Sequence, residues 1–551
     1  MSKCYIKPKL FSVMKNYSGQ QFIKDLTAGI IVAIIALPLS IALAIASNVP
    51  PACGVYTAIA AGFVCSFLGG SRVQIAGPTA AFATIVAGIV ATKGMEGLFL
   101  ATIIAGIILI LLGLFKLGSL IKFIPNTITV GFTAGIAVTI LVGQIKDFLG
   151  LSYDAKPIET FEKIEANIHA IDTFSWQSLV IGLICLAILI FYPKLEKRVP
   201  PALIAVLASA LLVAFVPVFG GDSVKTIGDL YKIPQGLPTV SFEGIDFRLS
   251  NIAALLPDAF TIAILAAIES LLSCVVADSM VNSRHNSNAE LVAQGAGNIA
   301  SVLFGGIPAT GAIARTAANA KNGGRTPIAG MVHAVVLLLV ILFLMPYAEY
   351  IPMPAIAAIL FVVAYNMSEW RKFVKILKCS PKSDIIVMVL TFVLTVVFDL
   401  VVAIEVGMVL AALLFMKRMS EESSVVGWKY IDPANDPDSI DLREVPQNVR
   451  VYEISGPMFF GAADKILDIK LKDYTSCLVL RMRSVPSLDA TAMNSLETVY
   501  KKCKKQGVTL ILSHVNEQPL DVMKKSGFYD MVGAENFCAH IDEALARGAN
   551  L

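Results

Sequence analysis

Long stretches of this chain contain no Asp, Glu, Lys, Arg or His. Residues 26–71 form a run of 46, and 73–92, 173–193, 199–221 and 291–314 each run for 20 to 24. A helix needs ~20 apolar residues to cross a bilayer. Several such runs in one chain therefore mean a polytopic membrane protein. The composition agrees: 56% of the 551 residues are hydrophobic and 15% charged, whereas soluble domains carry about 25% charged residues. A disordered chain, a secreted disulfide scaffold and a free cytosolic enzyme are excluded. The net charge of +3 is too weak to argue for or against a nucleic-acid partner, and none is expected. Nine cysteines are scattered without a Cys-x-x-Cys or a Cys/His cluster at ligand spacing, so neither metal nor cofactor is expected. Cys53, Cys65, Cys185 and Cys274 lie in apolar runs and read as small core residues; the other five fall in polar segments assigned to a reducing cytosol.

Composition changes sharply near residues 416–418. The reading is a cytoplasmic N-terminal segment (1–25), a membrane domain (26–418), a linker (419–447) and a soluble domain (448–551). Fourteen spans are predicted: 26–47, 52–70, 78–92, 97–115, 123–145, 174–193, 199–217, 252–277, 288–305, 309–321, 326–348, 351–367, 383–398 and 400–416. Two of them, 78–92 and 309–321, are short and follow a proline. The basic connections 194–198 and 371–382 belong inside by the positive-inside rule, and the mixed or acidic 147–172 and 222–246 outside. The basic first 25 residues, without a cleavable signal pattern, are expected to stay inside. An even number of spans then puts both termini in the cytoplasm.

A constant offset organises the spans. Leu26 and Leu256 lie 230 positions apart, as do Pro78 and Pro308; Ile124-Pro125 and Ile351-Pro352 recur at 227. AGPTAAFATIV (76–86) and GIPATGAIART (306–316) share a pattern of small residues and proline before a broken helix. Seven spans per half is odd, so the second half is inverted: a helical 7+7 inverted repeat. A helix that begins within the membrane leaves its first N–H groups unpartnered. Two inverted half-helices opening at Pro78 and Pro308 would bring two such ends together, each with roughly half a positive charge. That is an anion site built from backbone. Thr79 and Thr310 add hydroxyl donors, while Gly77, Ala80, Ala81, Gly311 and Ala312 allow close approach. Gly/Ala packing between membrane helices is the alternative reading of the small residues.

Ionisable residues in the apolar runs are functional candidates. Glu269 lies mid-span and reads as a proton carrier coupled to the anion, or as a neutral group hydrogen-bonded between helices. Arg315, seven residues after Pro308, falls ~10 Å along that half-helix. It could face the anion or Glu269, or reach the interface. Asp278 reads as a helix end, with Arg284 and His285 beyond it. His333 reads as a satisfied interhelical contact rather than a proton relay. No phosphate-binding loop, nucleophile elbow, zinc-protease or dinucleotide motif occurs, so nothing suggests an enzyme.

Residues 449–551 alternate strand and helix. VRVYEISGPMFF reads as a hairpin or strand pair, CLVLRMRSV and GVTLILSHV as buried strands. ATAMNSLETVYKKCKKQG reads as a helix starting at Asp489, with Met493, Leu496, Val499 and Tyr500 on one face. The prediction is a small α/β domain, one sheet with helices mainly on one side.

The segments DLTAGIIVAIIALPLSIALAIAS, GVYTAIAAG, IAGPTAAF, LAAIESLLSCVVADSM, NSNAELVAQGAGNIASVLFGGIPATGAIARTAANAKNGG, GPMFFGAADK and SVPSLDATAMNSL together resemble the sulfate permease (SulP) family with a C-terminal STAS domain, over essentially the whole chain. IESLL, NSNAELVAQGAGNI, AIARTAAN, NMSEW and SDIIVM further resemble its DauA-type branch, which takes up four-carbon dicarboxylates with protons. The resemblance implies the fourteen-segment fold shared with uracil permeases, a core moving against a gate, and a homodimer. It implies substrate binding between Thr79–Phe82 and Thr310–Arg315, to which the broken-helix reading adds Gly77 and Pro78, with Arg315 matching the family's arginine and Glu269 its carboxylate position. Sodium-coupled bicarbonate members have Asp at the latter and Thr where this chain has Ile313; the difference weakens a sodium reading and favours protons, and Ala314 counts only among the substrate-binding candidates. Thr491, after Asp489, falls at the phosphorylatable serine of related anti-anti-sigma proteins, with helix capping as the alternative for both. Acyl carrier protein is an implied partner of the STAS domain.

The expected function is elevator-type, proton-coupled uptake of a small anion across the bacterial plasma membrane. Dicarboxylate and sulfate rank close together, then bicarbonate. A passive anion channel and a nucleobase permease of the same fold are the alternatives; the appended STAS domain argues against the last.

Overall fold

The structure, a computed structural model, describes residues 7–119, 125–153, 157, 159–196, 199–219, 223–231, 248–398, 400–427, 445–471 and 475–551. Residues 1–6, Ile124, the pair 197–198, most of the 222–246 connection and the polar stretch 432–441 lie outside the described residues. The chain divides into two compact units, Met1–Met408 and Val409–Leu551.

In the first unit, eight described helices are long and apolar enough to cross a membrane: Gly19–Ala46, Pro51–Leu68, Ala80–Leu114, Asn126–Leu149, Trp176–Leu195, Asn251–Val281, Ile328–Tyr350 and Met353–Cys379. Shorter ones, including Pro201–Phe215, Ser287–Leu303, Ile313–Lys321 and Lys382–Val397, complete the set used below. Their starts follow ordinary chemistry. Ser18 caps the first by accepting from Gln21 N at 3.2 Å, and proline opens Pro51–Leu68 and Pro201–Phe215, where no N–H is needed. The segments read as 78–92 and 97–115 form one run, Ala80–Leu114, broken at Gly94 with φ 70° and ψ −177°. Only glycine adopts that geometry freely.

Close helix packing rests on small residues. Gly106 of Ala80–Leu114 and Gly295 of Ser287–Leu303 face each other; a Cβ at Gly106 would come 2.7 Å from Gly295 O. Lipid supplies no hydrophobic drive between helices, so such backbone approach provides the dispersion that holds them together. Between the helices lies a two-stranded sheet, β1 (Ala76–Gly77) and β2 (Thr310–Gly311). It pairs antiparallel, Ala76 with Gly311 and Gly77 with Thr310. Antiparallel pairing of two equivalent segments is what an inversion between the halves requires.

The second unit carries a five-stranded sheet in sequential order: β3 (Ser424–Gly427), β4 (Val449–Ser455), β5 (Cys477–Ser484), β6 (Thr509–Ser513) and β7 (Phe537–Cys538). Of these pairings only β3–β4 is antiparallel. One face packs Leu478, Leu480, Leu510 and Leu512 against Met493, Leu496, Val499, Met523 and Phe528. The other packs Val449, Val479 and Ile511 against the single helix Ile541–Ala549. VRVYEISGPMFF supplies one strand, not a pair. Gly456 turns the chain at φ 87° and Pro457 lacks the N–H a second strand would need. The partner of β4 is β3, from upstream.

Cys379 is exposed at the end of the short helix Trp370–Cys379, among Arg371, Lys372, Lys375 and Lys378. In a Cys4→Ser variant, a membrane-impermeant maleimide should label the Cys379 peptide in inside-out vesicles and leave it unlabelled in intact cells. Labelling in intact cells would reverse the orientation expected from the cationic connections.

Candidate functional site

The two short strands are where the interrupted helices meet. After Gly77, Pro78 and Thr79 lead into Ala80–Leu114, with Ala80, Ala81 and Phe82 in its first turn and Thr79 at the N-cap. After Gly311, Ala312 is the N-cap of Ile313–Lys321, and Ile313, Ala314 and Arg315 form its first turn. Neither N-cap side chain bonds the helix that follows, so no side-chain cap covers either positive dipole end. The second helix begins five residues after Pro308, because 306–309 is non-helical and Thr310–Gly311 form β2. The proline marks the interruption and not the helix start.

This shift relocates Arg315 from mid-helix to the third helical position. It is 1% exposed, which excludes a reach to the interface. Its Nη2 donates to Pro78 O at 3.2 Å, so a side chain from the second half bonds the backbone of the first. Nε and Nη1 have no protein partner, and Nη1 lies where a Cβ of Gly77 would be. Arg315 forms no ion pair with Glu269. The Glu269 carboxylate instead accepts from Thr79 Oγ1 at 2.9 Å. Sequence-selected residues of both halves thus converge: Gly77 on Thr310, Pro78 on Arg315, Thr79 on Glu269. Ile313 and Ala314 are exposed.

Extended backbone in this environment must be satisfied by neighbours, and polar side chains on other helices do so. Asn298 clamps Ala309 from both sides, accepting from its N–H at 2.8 Å and donating to its carbonyl at 2.9 Å. Thr57 Oγ1 accepts from Ile307 N at 2.7 Å, and Ser301 Oγ donates to Ile307 O at 2.7 Å. Ser270 Oγ accepts from Gly311 N at 3.0 Å and lies 2.9 Å from Thr310 Oγ1. Thr316 Oγ1 accepts from Ile75 N at 3.0 Å, and Ala312 N donates to Ile75 O at 2.8 Å. These residues were not singled out from sequence. Their signal is Asn, Ser and Thr recurring within otherwise apolar helices next to a Gly/Pro break.

The remaining candidates lie elsewhere. Asp278 terminates its helix, accepting from His285 N and Nδ1 at 2.8 and 2.7 Å and from Ser283 Oγ at 2.9 Å. His333 is fully buried, and neither ring nitrogen finds a protein partner, so it is not the satisfied contact expected. In the C-terminal unit Asp489 caps its helix by accepting from Ala492 N at 2.8 Å, and also accepts from Phe460 N at 2.8 Å. Thr491 is exposed in the first turn of that helix. No group of three metal-ligating side chains occurs among the described residues.

Two family models match the chain: the sulfate permease family over residues 22–391 and the STAS domain over 440–544. The chain belongs to the sulfate permease family. It is 41% identical over 537 residues to YvdB of Bacillus subtilis, which carries a sulfate-transport name, covering 96% of this chain and 98% of that protein. The bicarbonate transporter BicA of Synechocystis is 30% identical over 544 residues, covering 95% and 93%. Among solved structures, the transmembrane domain of a cyanobacterial BicA matches with a TM-score of 0.62 at 30% identity, over 72% of this chain and 98% of that one. Murine Slc26a9 in its inward-facing state shares the fold, with a TM-score of 0.88 at 18% identity, over 99% and 94%. The family and these relatives are membrane transporters, not enzymes, and the chain is an anion transporter by kinship.

Replacing Asn298 by Ala would leave the Ala309 N–H and C=O buried without partners, at about 1–3 kcal/mol each. A lower melting temperature in detergent is expected, and Asn298→Asp, which sets a carboxylate oxygen against the Ala309 and Gln294 carbonyls, should lower it at least as much. An unchanged melting temperature for Asn298→Ala would mean that Ala309 is satisfied in some other way.

Proposed function

We propose that this protein is a secondary active transporter that takes up a small anion, sulfate or a four-carbon dicarboxylate, together with a proton. The observation that carries the reading is the junction of two uncapped helix ends with the buried guanidinium of Arg315, two of whose nitrogens have no protein partner. An anion seated between Gly77–Phe82 and Thr310–Arg315 would complete both the amides and the guanidinium. Thr79 links that seat to Glu269 through one hydrogen bond of 2.9 Å. A proton on Glu269 removes a negative charge beside the anion, so anion and proton favour each other's binding. Transport then follows from moving the loaded half-helix pair past the other membrane helices, in a bacterial plasma membrane and as a homodimer. Sodium is the less favoured coupling ion, because Ile313 of the second half-helix offers no side-chain oxygen to a cation.

A second reading, sodium-coupled bicarbonate uptake, is favoured by the likeness to BicA, named a bicarbonate transporter. The deciding experiment is uptake of labelled sulfate, succinate and bicarbonate into proteoliposomes under an imposed pH or sodium gradient. Accumulation of sulfate or succinate above equilibrium, driven by an inward proton gradient, is expected. Uptake that only equilibrates would make the protein a channel, and sodium-driven bicarbonate accumulation would establish the second reading.

Glu269→Gln should abolish pH-driven accumulation while anion exchange continues; intact proton coupling would remove Glu269 from the mechanism. Arg315→Ala should raise the anion KM at least about tenfold, the loss of ~1.4 kcal/mol of binding. An unmoved KM in that variant would mean the anion binds away from the two helix ends.

A further inference from the structure

Behind the two short strands lies a second carboxylate that the transport reading does not use. Glu290, the fourth residue of the Ser287–Leu303 helix, is 1% exposed. Four N–H donors converge on it. Oε2 accepts from Gly70 N at 2.9 Å and Ser71 N at 3.2 Å; Oε1 accepts from Gln74 Nε2 at 2.9 Å and Gln294 Nε2 at 3.0 Å. Every partner is a donor, which suits an acceptor-only carboxylate. Its place in the first turns of a helix also favours negative charge.

The consequence falls on Gln74. Its Nε2 is held by Glu290, and its Oε1 accepts from Cys274 Sγ at 2.6 Å. A flip would set its oxygen against the Glu290 carboxylate, acceptor against acceptor, and would lose the thiol's hydrogen bond. So oriented, Nε2 lies against Gly311: a Cβ there would collide with it. Gly311 is in β2, pairs with Ala76, and donates its N–H to Ser270. Gln74 also immediately precedes Ile75, whose carbonyl accepts from Ala312 N at 2.8 Å. We infer that Glu290 is a positioning residue for anion binding: through Gln74 it sets the backbone of Gly311 and Ala312, the wall of the anion seat. It touches no substrate, and the inference rests on the anion seat proposed above.

The donor–acceptor logic supplies the test. Glu290→Gln turns one acceptor into a donor, facing either the Gln74 and Gln294 amides or the Gly70 and Ser71 N–H groups. The reciprocal double variant Glu290→Gln/Gln74→Glu restores a donor–acceptor pair, and the carboxylate it places at position 74 can still accept from Cys274. Cys274→Ala removes only the partner of the Gln74 oxygen and leaves the buried carboxylate intact. Saturable uptake in full-length protein in proteoliposomes should show KM raised about tenfold in Glu290→Gln with turnover near wild type. The double variant should return KM to within about threefold of wild type, and Cys274→Ala should raise it about threefold. A carboxylate that merely supports the fold would lower the yield and melting temperature without moving KM. Unmoved KM in Glu290→Gln and Cys274→Ala, or a raised KM that the double variant leaves raised, would overturn the assignment while wild-type uptake remains saturable. If Glu290→Gln yields no folded protein, Cys274→Ala and the double variant decide in the same way. Wild-type uptake that fails to saturate for sulfate, succinate and bicarbonate would instead remove the anion seat, and this inference with it.

Discussion

Backbone amides without helical partners, in a region where lipid offers none, are the constraint from which the rest of the membrane unit follows. Residues 307–311 and 75–79 run extended or turn where the surrounding helices are apolar. Each N–H and C=O left unmade there would cost several kcal/mol. The fold meets this in two ways. Ile75, Ile307, Ala309 and Gly311 are bonded by Thr316, Thr57, Ser301, Asn298 and Ser270, all held on neighbouring helices. The amides opening Ala80–Leu114 and Ile313–Lys321 receive no side-chain cap. The fold thus bonds the flanking backbone through side chains and leaves these two helix starts to their backbone alone.

The same constraint explains the residue types around the junction. Antiparallel strands at this spacing bring Gly77 and Gly311 close to side chains of the opposite half: Arg315 beside the first, Gln74 beside the second. A methyl at either glycine would displace the group beside it. Glycine here is a matter of space, since neither residue has a positive φ. At Gly94 the reverse holds: nothing lies within 4 Å of its would-be Cβ, and its φ of 70° is what requires glycine.

Much of this could be read before any coordinates. Uncharged runs located the helices, and the 230-residue offset paired Pro78 with Pro308 because an inverted repeat reuses the same break. The register of the break was less legible. Pro78 stands two residues before its helix and Pro308 five. Proline announces that a helix cannot continue; where the next one starts depends on strand pairing with a partner far away in the chain. Arg315 moved with that difference, from one face of a helix to its first turn. Glu290 and Asn298 were overlooked for a related reason. A Glu near a helix start and an Asn within a Gly/Ala-rich helix look like capping and packing, and their importance appears only when the extended segments they hold are in place. In the C-terminal unit the strands were legible as apolar runs, but the antiparallel partner of β4 came from β3, in a segment assigned to a linker.

The charges at the junction also bear on which anion suits it. Two uncapped helix ends contribute roughly half a positive charge each, and Arg315 a full one. With Glu269 ionised, the sum is roughly +1; with Glu269 protonated, roughly +2. A dianion such as sulfate or succinate is therefore neutralised most completely when it arrives with a proton, whereas a monoanion is balanced without one. In a low-dielectric setting an unbalanced unit charge is expensive, so under the proposed reading a proton on Glu269 would favour a dianion. Pro78 carries the bond to Arg315 and Thr79, the next residue, the bond to Glu269. The two side chains thus bond adjacent residues, where an anion in the proposed seat would act on both at once. Under the proposed reading, coupling would need no long-range path, because Arg315 and Glu269 bond neighbouring residues, one through the Pro78 carbonyl and the other through the Thr79 hydroxyl.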